Sequence, residues 1–199
     1  QGLRKFWKYY QVPRLRAAFS LEKHVVPSNA WLQLLAQSPQ DVGVASLLSG
    51  ILENEKSSPG ARVIALQGLA KTFQDEALRD FLLPWLEVDS PRDGLRGVAL
   101  KRLAVALPDE QARSLLLKKS WSGNLTSTRR TALSLLRPWL KSASLDGGPD
   151  PVVYAVQNAL AAGSATLRMT AAKLALTRMD LFSLDLKKLW ARDPDMRLR

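Results

Sequence analysis

Cysteine is absent and histidine occurs once, at His24. Without a thiol there is no disulfide, no iron–sulfur cluster, no thiolate zinc site and no cysteine nucleophile. A single imidazole removes His-rich metal sites and leaves a Ser-His-Asp triad only one candidate base. His24 lies in Glu22-Lys-His-Val-Val26 ahead of Pro27; with no second His or Cys to share a metal, it reads as an ordinary, partly buried side chain. No apolar run approaches the twenty or so residues that cross a bilayer, and no alternating pattern longer than four residues suggests a strand. The chain also lacks a phosphate-binding P-loop, a dinucleotide-binding glycine pattern, a Gly-x-Ser-x-Gly elbow and any cluster with metal-ligand spacing. We therefore expect no cofactor and no metal.

What is present favours helix. Leu (37) and Ala (24) supply 61 of 199 residues, and both are strong helix formers. Hydrophobic residues make up 46% and charged residues 24%, a globular balance, and the length suits one large domain or two small ones. The formal charge of +11 points toward acidic partners. The absence of cysteine does not decide a compartment. The compartment stays open: intracellular is favoured, and periplasm or organelle is admitted if an N-terminal signal or anchor has been removed. Its start at Gln1 and its end in mid-pattern at Arg199 read as a piece processed or excised from something longer.

Repetition organises the sequence. Five segments set an Arg before a small or apolar pair three and four residues on: Arg14-x-x-Ala17-Ala18, Arg62-x-x-Ala65-Leu66, Arg96-x-x-Ala99-Leu100, Arg129-x-x-Ala132-Leu133 and Arg168-x-x-Ala171-Ala172. A sixth starts at Arg197. The intervals are 48, 34, 33, 39 and 29 residues, and the 39 holds an insertion, Leu145-Asp-Gly-Gly-Pro-Asp-Pro151. Helix starts recur as Ser58-Pro59, Ser90-Pro91 and Asp193-Pro194, a capping side chain before a proline at the first helical position. Ser90 with Asp93 resembles a capping box. Apolar residues follow at helical spacing: Val63, Leu66, Leu69 and Ala70 in one unit, Val98, Leu103 and Leu107 in another.

The spacing predicts helix pairs 40–54 with 59–73, 75–87 with 91–106, 109–119 with 126–140, 151–162 with 165–179, and 182–191 with a cut-off 194–199. Short connections make neighbours antiparallel, and an amphipathic pair buries its stripe only against the next pair. The expected class is all-α: a right-handed α-solenoid of stacked antiparallel helix pairs, in units of about 40–74, 75–107, 108–142, 150–180 and a truncated 181–199. Residues 1–39 stand apart as basic and aromatic helices that cap or anchor the array.

The stretch Asp80-Phe-Leu-Leu-Pro-Trp-Leu-Glu-Val-Asp-Ser-Pro-Arg-Asp-Gly-Leu-Arg-Gly-Val-Ala-Leu-Lys-Arg-Leu103 resembles a HEAT repeat of the armadillo-like family, and the resemblance extends over roughly residues 40–199. In such units the first helix often carries a kinking proline, here Pro84. The turn is often acidic, here Asp89 and Asp93, and the second helix carries an apolar-Arg step, here Leu95-Arg96. The 109–119 helix departs by lacking the proline, and its turn, Asn124-Leu-Thr-Ser-Thr128, has no acid. The family hosts scaffolds, transport receptors, enzyme regulators and a few enzymes, so the resemblance implies architecture and leaves function open.

The repeated arginines Arg62, Arg96, Arg129, Arg168 and Arg197 could form a row of phosphate contacts. The resemblance implies instead that each pairs with an inter-helix Asp or carbonyl, and we take them as structural. Charge is uneven: residues 1–16 sum to +5, residues 17–110 to −3 and residues 111–199 to +9. Between Glu110 and Asp146 there is no acid, yet Arg113, Lys118, Lys119, Arg129, Arg130, Arg137 and Lys141 fall there. Such a surface attracts phosphates or an acidic protein face. Trp121, Trp139 and Tyr154 border it. Trp139 follows Pro138 in an apolar helix and reads as core, whereas Trp121 sits in a polar turn and could stack on a ligand. Asn124-Leu-Thr126 is a glycosylation sequon, although Thr126 or Ser127 reads better as a helix cap. At the N-terminus, Leu3, Phe6, Trp7 and Tyr10 share one stripe, with Lys8 among the basic residues off it. That pattern suits a cap over the first repeat, a membrane interface or a partner groove.

Together these features predict a non-enzymatic protein–protein interaction scaffold. Its second helices would line a basic concave face for an acidic protein partner or larger assembly. The residues expected on that face are Lys101, Arg102, Lys118, Lys119, Trp121, Arg130, Arg137, Lys141, Lys173 and Arg178. Phe6, Trp7, Lys8 and Tyr10 form a membrane or partner anchor, with a membrane surface reached through residues 1–16. The alternative partner is nucleic acid, its phosphate backbone tracked by the 111–141 patch. The resemblance also admits an alkylpurine DNA glycosylase, but acids such as Asp80 and Asp109 stand in no arrangement that singles one out, and we expect no enzyme.

Overall fold

The computed structural model describes residues 29–87, 93–121, 124–144, 148 and 150–192. Among these, every regular element is helical. The chain forms two compact units, the first ending at Ala99 and the second beginning at Leu100.

The first unit holds α1 (Asn29–Leu35), α2 (Val42–Glu53), α3 (Pro59–Leu69), α4 (Asp75–Leu82), α5 (Pro84–Glu87) and the start of α6 (Asp93–Ala106). Local chemistry sets the boundaries. Asp41 Oδ1 accepts the Gly43 and Val44 N–H groups at 3.0 and 3.1 Å and so opens α2. Ser58 Oγ accepts from Ala61 at 3.2 Å, with Pro59 as the first residue of α3. A short turn at Leu83 separates α4 from α5. Pro84 lacks the N–H that would continue the ladder, and its ring crowds the preceding turn. Helix α3 packs on both α1 and α2, and Leu32, Leu48 and Leu66 are fully buried. Each such side chain contributes roughly 1.5–3 kcal/mol by leaving water.

The second unit holds α7 (Asp109–Ser120), α8 (Thr126–Leu135), α9 (Arg137–Ser142), α10 (Pro151–Leu160), α11 (Ala165–Ala175), a 3₁₀ turn (Leu176–Arg178) and α12 (Met179–Arg192). Helix α7 packs on α8, and α10 packs on α11. In addition α7 meets α10 and α8 meets α11, so first helices lie beside first helices and second beside second. The Arg motif explains part of this. Ala65-Leu66, Ala99-Leu100, Ala132-Leu133 and Ala171-Ala172 are all buried, and small side chains let neighbouring helices approach closely. Helix α1 lies in the 1–39 segment set apart from the pairs; from α2 on, the observed helices follow the predicted pairs to within a few residues, except in two places. The backbone tightens into a 3₁₀ turn at 176–178 and α12 already begins at Met179, which seats Phe182 fully buried. The second helix of the 108–142 segment divides into α8 and α9 at Leu136, two residues before Pro138.

One cap differs as well. The residue before α8 is Leu125, which has no side-chain acceptor to offer. The expected caps Thr126 and Ser127 lie inside the helix, and the hydroxyls of Ser127 and Thr128 are buried without a hydrogen-bond partner. His24, the 1–16 anchor with Phe6, Trp7, Lys8 and Tyr10, the Ser90-Pro91 and Asp193-Pro194 starts, Asp89 and Arg197 lie outside the described residues.

Candidate functional site

The repeat arginines determine which cations are left for anything else. Arg62 is 6% exposed and its Nε donates to the Leu52 carbonyl at 2.7 Å, in the last turn of α2. Its guanidinium carbon lies 6.0 Å from the Trp85 ring centroid, so one side chain touches α2, α3 and α5. Arg129 Nε donates to the carbonyl of Ser120, the last residue of α7, at 3.0 Å. Arg168 Nη1 donates to the Ala162 and Gly163 carbonyls just beyond α10, at 3.0 and 2.8 Å. In three units the second helix thus reaches back and holds carbonyls at the C-terminal end of the first. The Leu52 and Ser120 carbonyls are among the groups a helix leaves without internal partners. Arg96 is half-buried.

The remaining cations sort by the phase of their helices. On α8 and α9, Thr128, Ala132, Leu133, Leu136 and Leu140 are buried, whereas Arg130, Ser134, Arg137 and Lys141 are exposed at steps of four, three and four residues. That is one solvent-facing stripe. Lys173 is exposed on α11, the helix that packs against α8. Neither α8, α9 nor α11 contains an acidic residue. Lys118 is exposed near the end of α7, and Lys101 and Arg102 are exposed on α6.

Two of the expected surface cations are not available to a partner: one is buried and the other, half-buried, is engaged within the fold. Lys119 is 6% exposed: with Ala112, Leu116 and Ser120 it continues the buried stripe of α7. Helical spacing carried that signal, and the charge masked it. Arg178 is committed to internal bonds. Its Nη1 donates to the carbonyls of Leu140, Lys141 and Ala143 at 3.1, 3.0 and 2.8 Å, gathering the end of α9. Its Nη2 pairs with Asp180 Oδ2 at 2.7 Å. That hydrogen bond holds the Asp180 carboxyl below its ordinary range. Within the basic stretch Arg113 is also engaged, 3.3 Å from the Asp150 carboxylate that caps α10. Of the candidates expected on the face, Arg130, Arg137 and Lys141 share a stripe, Lys173 lies on the adjoining helix, and Lys119 and Arg178 drop out.

Trp139 is half-buried and its indole N–H donates to Asp109 Oδ2 at 2.9 Å, which links α9 to the start of α7. Trp121 remains 39% exposed at the end of α7. Its ring centroid lies 5.5 Å from that of Tyr154 on α10, with 41° between the planes, and Tyr154 is 53% exposed. Asn124 fixes the turn by donating its side-chain amide to the carbonyls of Lys118 and Trp121 at 3.1 and 3.4 Å. The sequence placed both rings beside the basic stretch. Nothing in it marked them as partners, since 33 positions and two other helices separate them.

Among the described residues no three His, Cys, Asp or Glu side chains gather as they would around a metal ion, and no helix is long and apolar enough to cross a membrane. Comparison with protein-family models, with curated proteins and with solved structures finds no match to this chain.

Proposed function

We propose that this chain is a non-enzymatic interaction scaffold, a HEAT-like α-solenoid whose second helices present a cationic face to an acidic segment of a protein partner. One observation carries the reading: Arg130, Arg137 and Lys141 form an exposed stripe beside Lys173, on helices without a single acid. Charge complementarity of this kind steers encounter and selects partners. The face works by rigid presentation. Its helices are held by Arg129 on the Ser120 carbonyl and by Arg178 on the end of α9, so the cations need little reorganisation to meet a ligand.

Nucleic acid is the less favoured partner, for a specific reason. Of the seven cations between Glu110 and Asp146, Arg113 and Arg129 are tethered and Lys119 is buried, which shortens any row able to follow a phosphate backbone. The test compares poly-L-glutamate with a single-stranded oligonucleotide, each labelled, across a salt series. Under this reading polyglutamate binds, and reversing both Arg130→Glu and Arg137→Glu weakens it about tenfold or more. Undiminished binding in the reversed variant removes this face from the function. Oligonucleotide binding that exceeds polyglutamate binding at about 0.15 M salt, with a steep salt slope, transfers the face to nucleic acid.

A further inference from the structure

We infer that the Trp121–Tyr154 pair is a specificity anchor, taking an aromatic side chain that stands next to an acid in the partner's segment. The inference rests on the reading above and adds the kind of residue that segment must carry.

Three features converge at the junction of α7 and α8. The first is the pair itself: two rings in tilted contact at 5.5 Å that remain 39% and 53% exposed. Tilted and offset arrangements suit aromatic rings and leave faces and edges free for a third ring. Trp and Tyr also present large area with few torsions to freeze, which is why they dominate binding hot spots. The second is rigidity. Trp121 leads directly from Ser120, whose carbonyl Arg129 holds, and Asn124 pins the carbonyls of Lys118 and Trp121. Tyr154 sits in the first turn of α10, whose cap Asp150 is bonded to Arg113 of α7. The two rings are therefore carried by helices tied to each other.

The third feature is the sign of the local charge. Lys118 is exposed three residues before Trp121. Leu125 opens α8 without a side-chain acceptor, so the first-turn N–H groups of Thr126, Ser127 and Thr128 have no acceptor within the helix. The carboxylate of the α10 cap, Asp150, is already held by Arg113 and by the Val152 N–H at 2.7 Å. A carboxylate next to an aromatic ring satisfies this surroundings, whereas a cationic ligand for the rings meets Lys118. The stripe from Arg130 onward begins one turn into α8, so the same acidic segment can continue along it.

The experiment uses the full chain and two labelled polymers of matched length, poly-L-glutamate and a random glutamate–tyrosine copolymer, at about 0.15 M salt. The copolymer should bind about tenfold tighter. Trp121→Ala and Tyr154→Ala should each bring the ratio of the two affinities close to one, while Trp121→Phe keeps most of it. Arg130→Glu with Arg137→Glu should weaken both polymers and leave the ratio in place, so a failure of the cationic face is distinguishable from a failure of the anchor. A ratio of one in the unaltered protein, or a preference that survives both alanine variants, overturns the inference. If neither polymer binds, face and anchor fall together. An oligothymidylate that binds tighter than the copolymer, and does so over an abasic strand only while Trp121 is present, assigns the rings to bases and overturns the protein occupant.

Discussion

A guanidinium can serve a surface or a helix end, and in this chain the helix ends claim several. Arg62, Arg129 and Arg168 each donate to carbonyls at the C-terminal end of the preceding first helix. For Arg62, at 6% exposure, truncation leaves the Leu52 carbonyl without its donor. Arg62→Ala should therefore cost about 1–3 kcal/mol in chemical denaturation, against a change within about 0.5 kcal/mol for Arg130→Ala on the exposed stripe. Equal effects would mean that the tether is idle. Asp180 makes a pH-dependent counterpart. Its folded pKa lies below the unfolded one because of the Arg178 hydrogen bond. The stability it contributes is complete above the unfolded pKa and is lost as pH falls through the folded value, on the acid side of about pH 4. Melting curves at neutral and acid pH should show Asp180→Asn below the unaltered protein at neutrality, with the gap closing as carboxylates protonate.

At the scale of elements, two helical glycines look alike in the sequence and are opposite in the structure. A Cβ added at Gly50 on α2 meets nothing within 4 Å, whereas at Gly68 on α3 it would lie 2.8 Å from the Ala36 Cβ and 3.0 Å from Leu48. Gly50→Ala should raise stability by up to about 1 kcal/mol through helix propensity. Gly68→Ala should lower it by about 1–2 kcal/mol, because overpacking exceeds the same gain. Thermal melts of the two variants, moving in opposite directions, check the packing of α3 on its neighbours. Helix positions were legible because caps and period are local: Ser58, expected as a cap before Pro59, bonds the first turn that follows it. The Leu125 cap was not legible, since Thr126 and Ser127 are better caps by chemistry, yet both lie inside α8, which packs on α7.

For the whole molecule the relevant quantity is a net charge of +11, most of it after residue 110. Binding of an acidic polymer should fall steeply as salt rises from about 0.05 to 0.5 M, since exposed charges are screened over a few ångströms at the upper end. The preference for the tyrosine-bearing copolymer should persist, because ring contacts are not screened. A preference that decays in step with overall affinity would mean that the rings add only charge-dependent loosening. The sum of charges came from the sequence, but its usable part did not. Arg113, Lys119, Arg129 and Arg178 count equally with Arg130 in composition, and only their partners and burial separate them.

The sequence by itself determined that the described chain is helical, where most of its helices lie, and that a small or apolar pair follows Arg62, Arg96, Arg129 and Arg168, pairs that prove buried. These follow from period, capping and composition, which act over a few residues. Tertiary structure decided which cations remain free and that Trp121 meets Tyr154. Those outcomes depend on approaches between helices far apart in the chain, such as Arg178 on the carbonyls of α9 or Arg113 on Asp150. No local pattern encodes the distance across which such groups must reach.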